Sequence, residues 1–250
     1  MVGERSAVNL ARAVTALGVG YLFGSASFAR LVGKVVAPGQ DLSGGEIELP
    51  GGATVAYGSV GATKIAMRAG PVPGIVTGIL DAGKAYGPTM VARRRWPDEP
   101  YYAFVAAGAI AGHNWPLYHG FKGGRGQTPF YGGLAAMDWV SIPVTTAAGV
   151  LLGTAVFRDT LAAYSLGMWL TIPFAALRRR PAEVGYAAIG NVMFTIAMIP
   201  ETKAYLELRR SGKVRKMATL KDFIYSYPAM RRSEDGTASG EAEGEGAAGR

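Results

Sequence analysis

Charge is clumped along this chain, and long apolar runs separate the clumps. Ala13 to Ala29, Tyr101 to Tyr118, Trp139 to Phe157, Thr160 to Leu177 and Val184 to Pro200 contain no Asp, Glu, Lys or Arg. Each run is close to the ~20 residues a helix needs to cross a hydrocarbon core of ~30 Å. Two weaker runs join them: Gly70 to Ala92, interrupted by Asp81 and Lys84, and Gln127 to Met137. A soluble domain can bury one such run in its core, but not five. In lipid the backbone must satisfy its own hydrogen bonds, which a helix does. The pattern therefore predicts an all-α fold, a polytopic transmembrane helical bundle of about seven spans. Gly and Ala inside the runs suit close helix packing, and Tyr101, Tyr102, Trp115, Tyr118 and Trp139 lie near run ends, where interfacial rings are expected. The first run has no persuasive cleavage site and continues into a motif at Gly24, so it reads as an uncleaved span.

Composition narrows the chemistry. The 250 residues include no Cys and two His, which removes disulfides, thiolate chemistry and a multi-histidine metal cage; no metal or other cofactor is expected. Lys and Arg number 26 against 18 Asp and Glu, a net charge of +8. That balance would suit a nucleic-acid binder, but the cations sit at run ends and in glycine-rich loops, so the expected partners are membrane lipids and phosphate-bearing small molecules and no nucleic acid. The segment from Glu201 to Arg232 holds nine Lys/Arg and three Asp/Glu, which puts the C-terminus in the cytoplasm by the positive-inside rule. Counting seven spans back places Arg93-Arg94-Arg95 and Arg178-Arg179-Arg180 outside, against the same rule. Residues 233–250 are a Gly/Ala/Glu tract expected to be disordered. The chain thus divides into a membrane domain (1–200), a basic cytoplasmic segment (201–232) and an acidic tail (233–250), in a multi-pass protein of the cell membrane with its glycine-rich loops at the cytoplasmic face.

Four segments carry candidate chemistry. Gly24-Ser25 closes the first span. The loop Ala56 to Gly70 contains Gly58, Ser59, Gly61, Thr63, Lys64 and Arg68. Glycines there let successive N–H groups converge on an anion, with a hydroxyl and a cation completing the site, although the spacing is not that of a P-loop. Asp81 and Lys84 are opposed charges in an otherwise apolar helix; they pair with each other or face a polar cavity. The fourth segment is GHNWPLYHGFKGGRGQT, Gly112 to Thr128. Lys122 and Arg125 bracket Gly123 and Gly124, with Gly126 following, a cationic loop able to hold a phosphate by charge and by N–H donation. A headgroup anchor would need the cations but not the three glycines. His113 reads equally as a hydrogen-bonded helix-end residue or a general base, and His119 as surface.

Taken in order, these segments resemble the bacterial acyl-phosphate:glycerol-3-phosphate acyltransferases. That family shows a GS-x-P-F end to its first span, then GSGNxGATN, D-x-x-KG and GHxFPVFLxFKGGKG. Here stand Gly24-Ser25 with Phe28; Gly58 and Gly61-Ala62-Thr63; Asp81 and Lys84; and Gly112-His113, Pro116 and Phe121 to Gly126. Tyr164-Ser165-Leu166 is similar to the family's later serine-bearing span. The resemblance implies a seven-span enzyme of phospholipid synthesis that moves an acyl chain from acyl phosphate to glycerol 3-phosphate, giving lysophosphatidic acid and phosphate, with no metal and no covalent acyl-enzyme. It further implies His113 and Lys122 as catalytic, Lys84 with the glycine loops as phosphate-binding, and Ser25, Asp81 and Ser165 as supporting; Ser59, standing where the family has Asn, is a catalytic candidate as the replacement for that contact. The chain departs from the pattern at Tyr57, Ser59 and Lys64, at Met67 where the family has Arg, and at Pro200-Glu201-Thr202-Lys203 in place of a His and an Asn. Three readings follow: a divergent acyltransferase in which Ser59, Lys64 and Arg68 replace the missing contacts, a lipid-phosphate-binding or partner-binding protein of the same fold, and a small organic-phosphate transporter.

Overall fold

The computed structural model describes residues 8–42, 44–48, 54–214 and 216–217. The expected acidic tail and half of the basic segment before it lie outside them. The main helices are α1 (Leu10–Ser25), α4 (Pro71–Arg95), α5 (Tyr101–Asn114), α6 (Gln127–Asp138), α7 (Ser141–Leu151, continued by a π-helical turn to Phe157), α8 (Thr160–Leu177) and α9 (Pro181–Arg210). Every apolar run has become one of them. They pass back and forth between two ends of the bundle. Two short helices, α2 (Phe28–Val36) and α3 (Ala62–Ala69), lie at one end with a two-stranded antiparallel ladder, β1 (Glu46–Glu48) on β2 (Thr54–Ala56), an addition to the all-helical expectation.

Helix lengths are uneven across the roughly seven spans expected. Among the described residues, three helical stretches are long and apolar enough to cross a membrane: Leu10–Val36, Thr160–Leu177 and Pro181–Arg210. With 14 residues, α5 rises ~21 Å and, with 12, α6 rises ~18 Å, short of a hydrocarbon core. Both are sheathed by the longer helices, and α5 buries eleven of its residues.

Local chemistry sets the helix ends. The Asn9 and Asp159 side chains accept from Arg12 N (3.1 Å) and Ala162 N (2.9 Å) as N-caps of α1 and α8. Pro71 and Pro181 open α4 and α9, where a missing N–H costs nothing. At the far end, Arg93 donates to the carbonyls of Ala136 and Met137 (2.6 and 2.9 Å), and Arg178 donates to both oxygens of buried Asp138 (2.6 Å each). The first residue of each arginine triplet therefore serves the C-terminal end of α6.

Between helices the decisive contacts are made by glycine. Gly20 and Gly24 of α1 lie against the backbone of Val105 and Ala109 in α5, and Gly108 and Gly112 of α5 lie reciprocally against Leu17 and Tyr21. Two GxxxG pairs thus clasp, as small-xxx-small seams do in membrane bundles. Gly132 of α6 meets Ala82 of α4, while Gly149 and Gly153 of α7 meet Gly167 and Ala163 of α8. Elsewhere the core is conventional: Phe130 and Tyr186 stack with centroids 5.3 Å apart, and Tyr186 Oη donates to the Phe130 carbonyl at 2.8 Å.

Adding one methyl group tests the clasp. Gly24→Ala and Gly108→Ala each put Cβ into a facing backbone, and overpacking of this kind costs about 1–3 kcal/mol. Both variants should lose thermal stability in detergent, whereas Gly18→Ala, whose Cβ meets nothing within 4 Å, should not. Equal melting temperatures for all three would remove the clasp from the account.

Candidate functional site

The clasp brings the C-terminal ends of α1 and α5 together, and the four motif segments gather there. Ser25, fully buried, donates to the Tyr21 carbonyl (2.8 Å) and accepts from Leu117 N (3.2 Å), tying α1 to the turn after α5. Lys84, on α4, donates to the Ala26 carbonyl (2.7 Å) and lies 2.8 Å from Asp81 Oδ1. Off the angle of a directed hydrogen bond, that contact is an ion pair. His113 Nδ1 is 3.7 Å from the same oxygen. Asp81, Lys84 and His113 are therefore one buried chain of charge and imidazole, in which the carboxylate orients both partners.

The cationic glycine loop is seated on this chain. Gly124 N donates to the His113 carbonyl at 3.0 Å, and a Cβ at Gly124 would occupy the space of the His113 ring. A Cβ at Gly123 would strike the His113 carbonyl and Pro116; one at Gly126, where φ is +81°, would strike Asn114 and Ile110. These three glycines are required by contact, whatever they bind. The loop before α3 then docks on this one, Val60 N donating to the Gly123 carbonyl at 3.0 Å. Both predicted glycine loops thus form one surface, with Ser59 buried and Gly58 exposed beside it. Gly61 N-caps α3, in whose first turn Thr63 is half-buried.

The cations divide sharply. Lys122 is exposed on the loop. Arg125 is folded inward, its guanidinium 4.1 Å from the Tyr57 ring centroid and 3.4 Å from Glu201 Oε1. Burial opposes its charge, but Tyr57, Tyr164 and Glu201 together hold it protonated above its ordinary range. Lys64 is fully buried and donates to the carbonyls of Tyr57 (2.6 Å) and Gly44 (2.8 Å). Burial and then neighbouring Arg68 lower its pKa. Arg68 is exposed and reaches the Gly44 carbonyl at 3.5 Å. Ser165, on α8, donates to the Leu161 carbonyl at 2.8 Å; its neighbour Tyr164 is the residue that reaches Arg125.

Glu201 and Tyr57 were visible in the sequence only as departures from a motif, yet they are the partners that hold Arg125. No local signal pairs Glu201 with a residue 76 positions away; the hint was one acid directly after an apolar run. Beside the glycine surface, an apolar groove of 1410 Å³ runs between α1 and α4, with Lys84 and Ala26 at one end and Arg12, Arg95 and Trp96 at the other.

The buried pair gives a stability prediction. Asp81→Asn leaves Lys84 charged and unpaired in the core, a loss of about 3–5 kcal/mol, whereas Asp81→Asn with Lys84→Met removes both charges. The single variant should melt well below wild type and the double variant should recover most of the difference; a double variant as unstable as the single would show that the two charges do not act as a pair.

Comparison with known proteins fits this arrangement. The family model for glycerol-3-phosphate acyltransferase matches residues 14–207. A glycerol-3-phosphate acyltransferase of Anaeromyxobacter dehalogenans is 36% identical over 131 residues, 50% of this chain and 60% of that protein, so the chain aligns with less than two thirds of that relative's length. One from Shouchella clausii is 32% identical over 166 residues, 65% of this chain and 74% of the relative. Two crystal structures of PlsY (YgiH), an integral membrane glycerol 3-phosphate acyltransferase, share the fold. The glycerol 3-phosphate form superposes with a TM-score of 0.63 at 23% identity, covering 84% of this chain and 97% of that one; for the lysophosphatidic acid form the TM-score is 0.64 at 21% identity, covering 85% and 98%. By the extent of the family match and the order of its motifs, this chain belongs to the glycerol-3-phosphate acyltransferase family.

Proposed function

We propose that the protein is a membrane acyltransferase that moves a fatty acyl group from acyl phosphate to the first hydroxyl of glycerol 3-phosphate, with its C-terminal segment on the cytoplasmic side. The observation that carries this reading is the junction of two surfaces: the apolar groove between α1 and α4 ends at Lys84, beside the paired glycine loops. An acyl tail fits the groove, and its phosphate would then lie near cations and backbone donors. The acceptor hydroxyl attacks the acyl carbonyl, a C–O ester bond forms, the bond from that carbon to the phosphate oxygen breaks, and inorganic phosphate leaves. The hydroxyl proton passes to a base; His113, held by Asp81, is the candidate. Lys122 and Arg125 bind phosphate, Lys122 by direct charge and Arg125 by shaping the loop it belongs to. Gly58, Ser59, Gly61, Thr63 and Arg68 border the acceptor side, Lys84 the acyl-phosphate side, Ser25 supports the end of α1, Asp81 holds Lys84 and His113, and Ser165 supports α8 beside Tyr164. Catalysis of this kind is positioning plus stabilisation of developing negative charge by fixed donors.

One observation favours a second reading, a phosphate-binding protein without transfer. Lys64 is already engaged by two carbonyls and Arg125 by Glu201, so of these loop cations Lys122 and Arg68 are the exposed ones.

Purified protein given acyl phosphate and labelled glycerol 3-phosphate should form lysophosphatidic acid, and Lys122→Ala should lower the rate at least about tenfold, the equivalent of one charge-assisted contact of ~1.4 kcal/mol. Binding of acyl phosphate with no product above a protein-free control would favour the second reading; phosphate flux into liposomes would favour a transporter. His113→Gln should also flatten the acid limb of the pH–rate profile, and an unchanged profile would take the base role from His113.

A further inference from the structure

We propose a second anion site, outside the loop surface, in which Arg30, Lys34 and His119 bind the phosphate group of an anionic headgroup or of a soluble phosphate ester. These residues line a separate pocket of 390 Å³ between α2, the segment that follows it and the turn after α5, with Ser27 at its edge. That volume accommodates a phosphate and a small polar body, but not a lipid tail.

The pocket is assembled from two elements that the fold pins together. Arg30 and Lys34 lie four residues apart on one face of α2. Arg30 Nη2 donates to the Lys122 carbonyl at 3.1 Å, which fixes the guanidinium plane, while its Nε has no acceptor among the described residues. His119 is brought in by the turn after α5, which reverses through Gly120 and Phe121, both at positive φ (+60° and +59°). Ser27 precedes α2 as its N-cap and makes no side-chain cap bond. One carboxylate, Asp41, also lines the pocket, and its charge acts on Lys64. Two fixed cations and a titratable third therefore face one acid.

His119 offers a direct readout. Partial burial, then the charges of Arg30, Lys34 and Lys84, hold its imidazole below the ordinary pKa. An anion between these groups would raise that pKa, so binding takes up a proton, is strongest at low pH, and weakens as pH rises through the anion-bound pKa. With His113 and His119 the only histidines in the chain, each imidazole can be followed separately by NMR in tag-free protein.

The test follows the His119 resonances of the full chain in nanodiscs across pH. In one arm the discs are phosphatidylcholine and inorganic phosphate or glycerol 3-phosphate is added; in the other the discs contain phosphatidylglycerol and no soluble phosphate. In one arm or both the His119 pKa should rise by about 0.5 pH unit or more, identifying the source. The rise should disappear in Arg30→Gln/Lys34→Gln, or in Lys34→Gln alone should the double variant fold poorly, and should persist in Lys122→Ala. No rise in either arm, or a rise that survives loss of both cations, overturns the proposal. A rise abolished by Lys122→Ala overturns it too, by assigning the anion to the loop surface. None of these outcomes depends on acyl transfer, so the site and the proposed activity fail separately.

Discussion

Helices that meet backbone to backbone through glycine are the constraint on which the rest of this structure depends. Lipid supplies no hydrophobic drive to press one apolar helix on another, so approach distance and shape must hold the bundle. The α1–α5 clasp at Gly20, Gly24, Gly108 and Gly112 places Ser25 against Leu117 N and the Ala26 carbonyl within reach of Lys84. The same principle continues into the loop. With no Cβ at Gly123 and Gly124, the chain lies directly on the His113 backbone and ring, and a neighbouring glycine loop docks on it in turn. Packing and site are therefore products of one device.

Electrostatics supply what packing cannot. Five buried or half-buried charges, Asp81, Lys84, Lys64, Arg125 and Glu201, converge at one end of the bundle, each with an opposite charge, a carbonyl or an aromatic face. Such groups are costly to desolvate alone and are kept where they are paired. At the opposite end, Arg93 and Arg178 serve the carbonyls and acid that end α6. Cations in this chain thus divide between structural duty and the few left to meet a ligand.

Much of this was legible in the sequence. Charge-free runs became helices because a helix satisfies its own backbone hydrogen bonds in lipid, and three of the motifs came together at run ends on the same side, with Lys84 reaching them from within α4. Less legible were contacts set by distance in space. Lys64 read as a phosphate ligand, yet two carbonyls enclose it, a result of the segment around Gly44 closing over α3. Glu201 read as a lost motif, yet it neutralises Arg125. The shortness of α5 was hidden because apolar sequence continues past its end: Trp115 to Tyr118 extends the run while Pro116 breaks the helix.

The central claim is that the loop from Lys122 to Gly126 is the phosphate-binding floor of a transfer site. A structure of the protein in lipid with glycerol 3-phosphate tests it most directly. The account predicts phosphate density within hydrogen-bond distance of the Lys122 ammonium, beside His113 and the mouth of the α1–α4 groove. Saturating ligand bound elsewhere, with this loop empty, would contradict it.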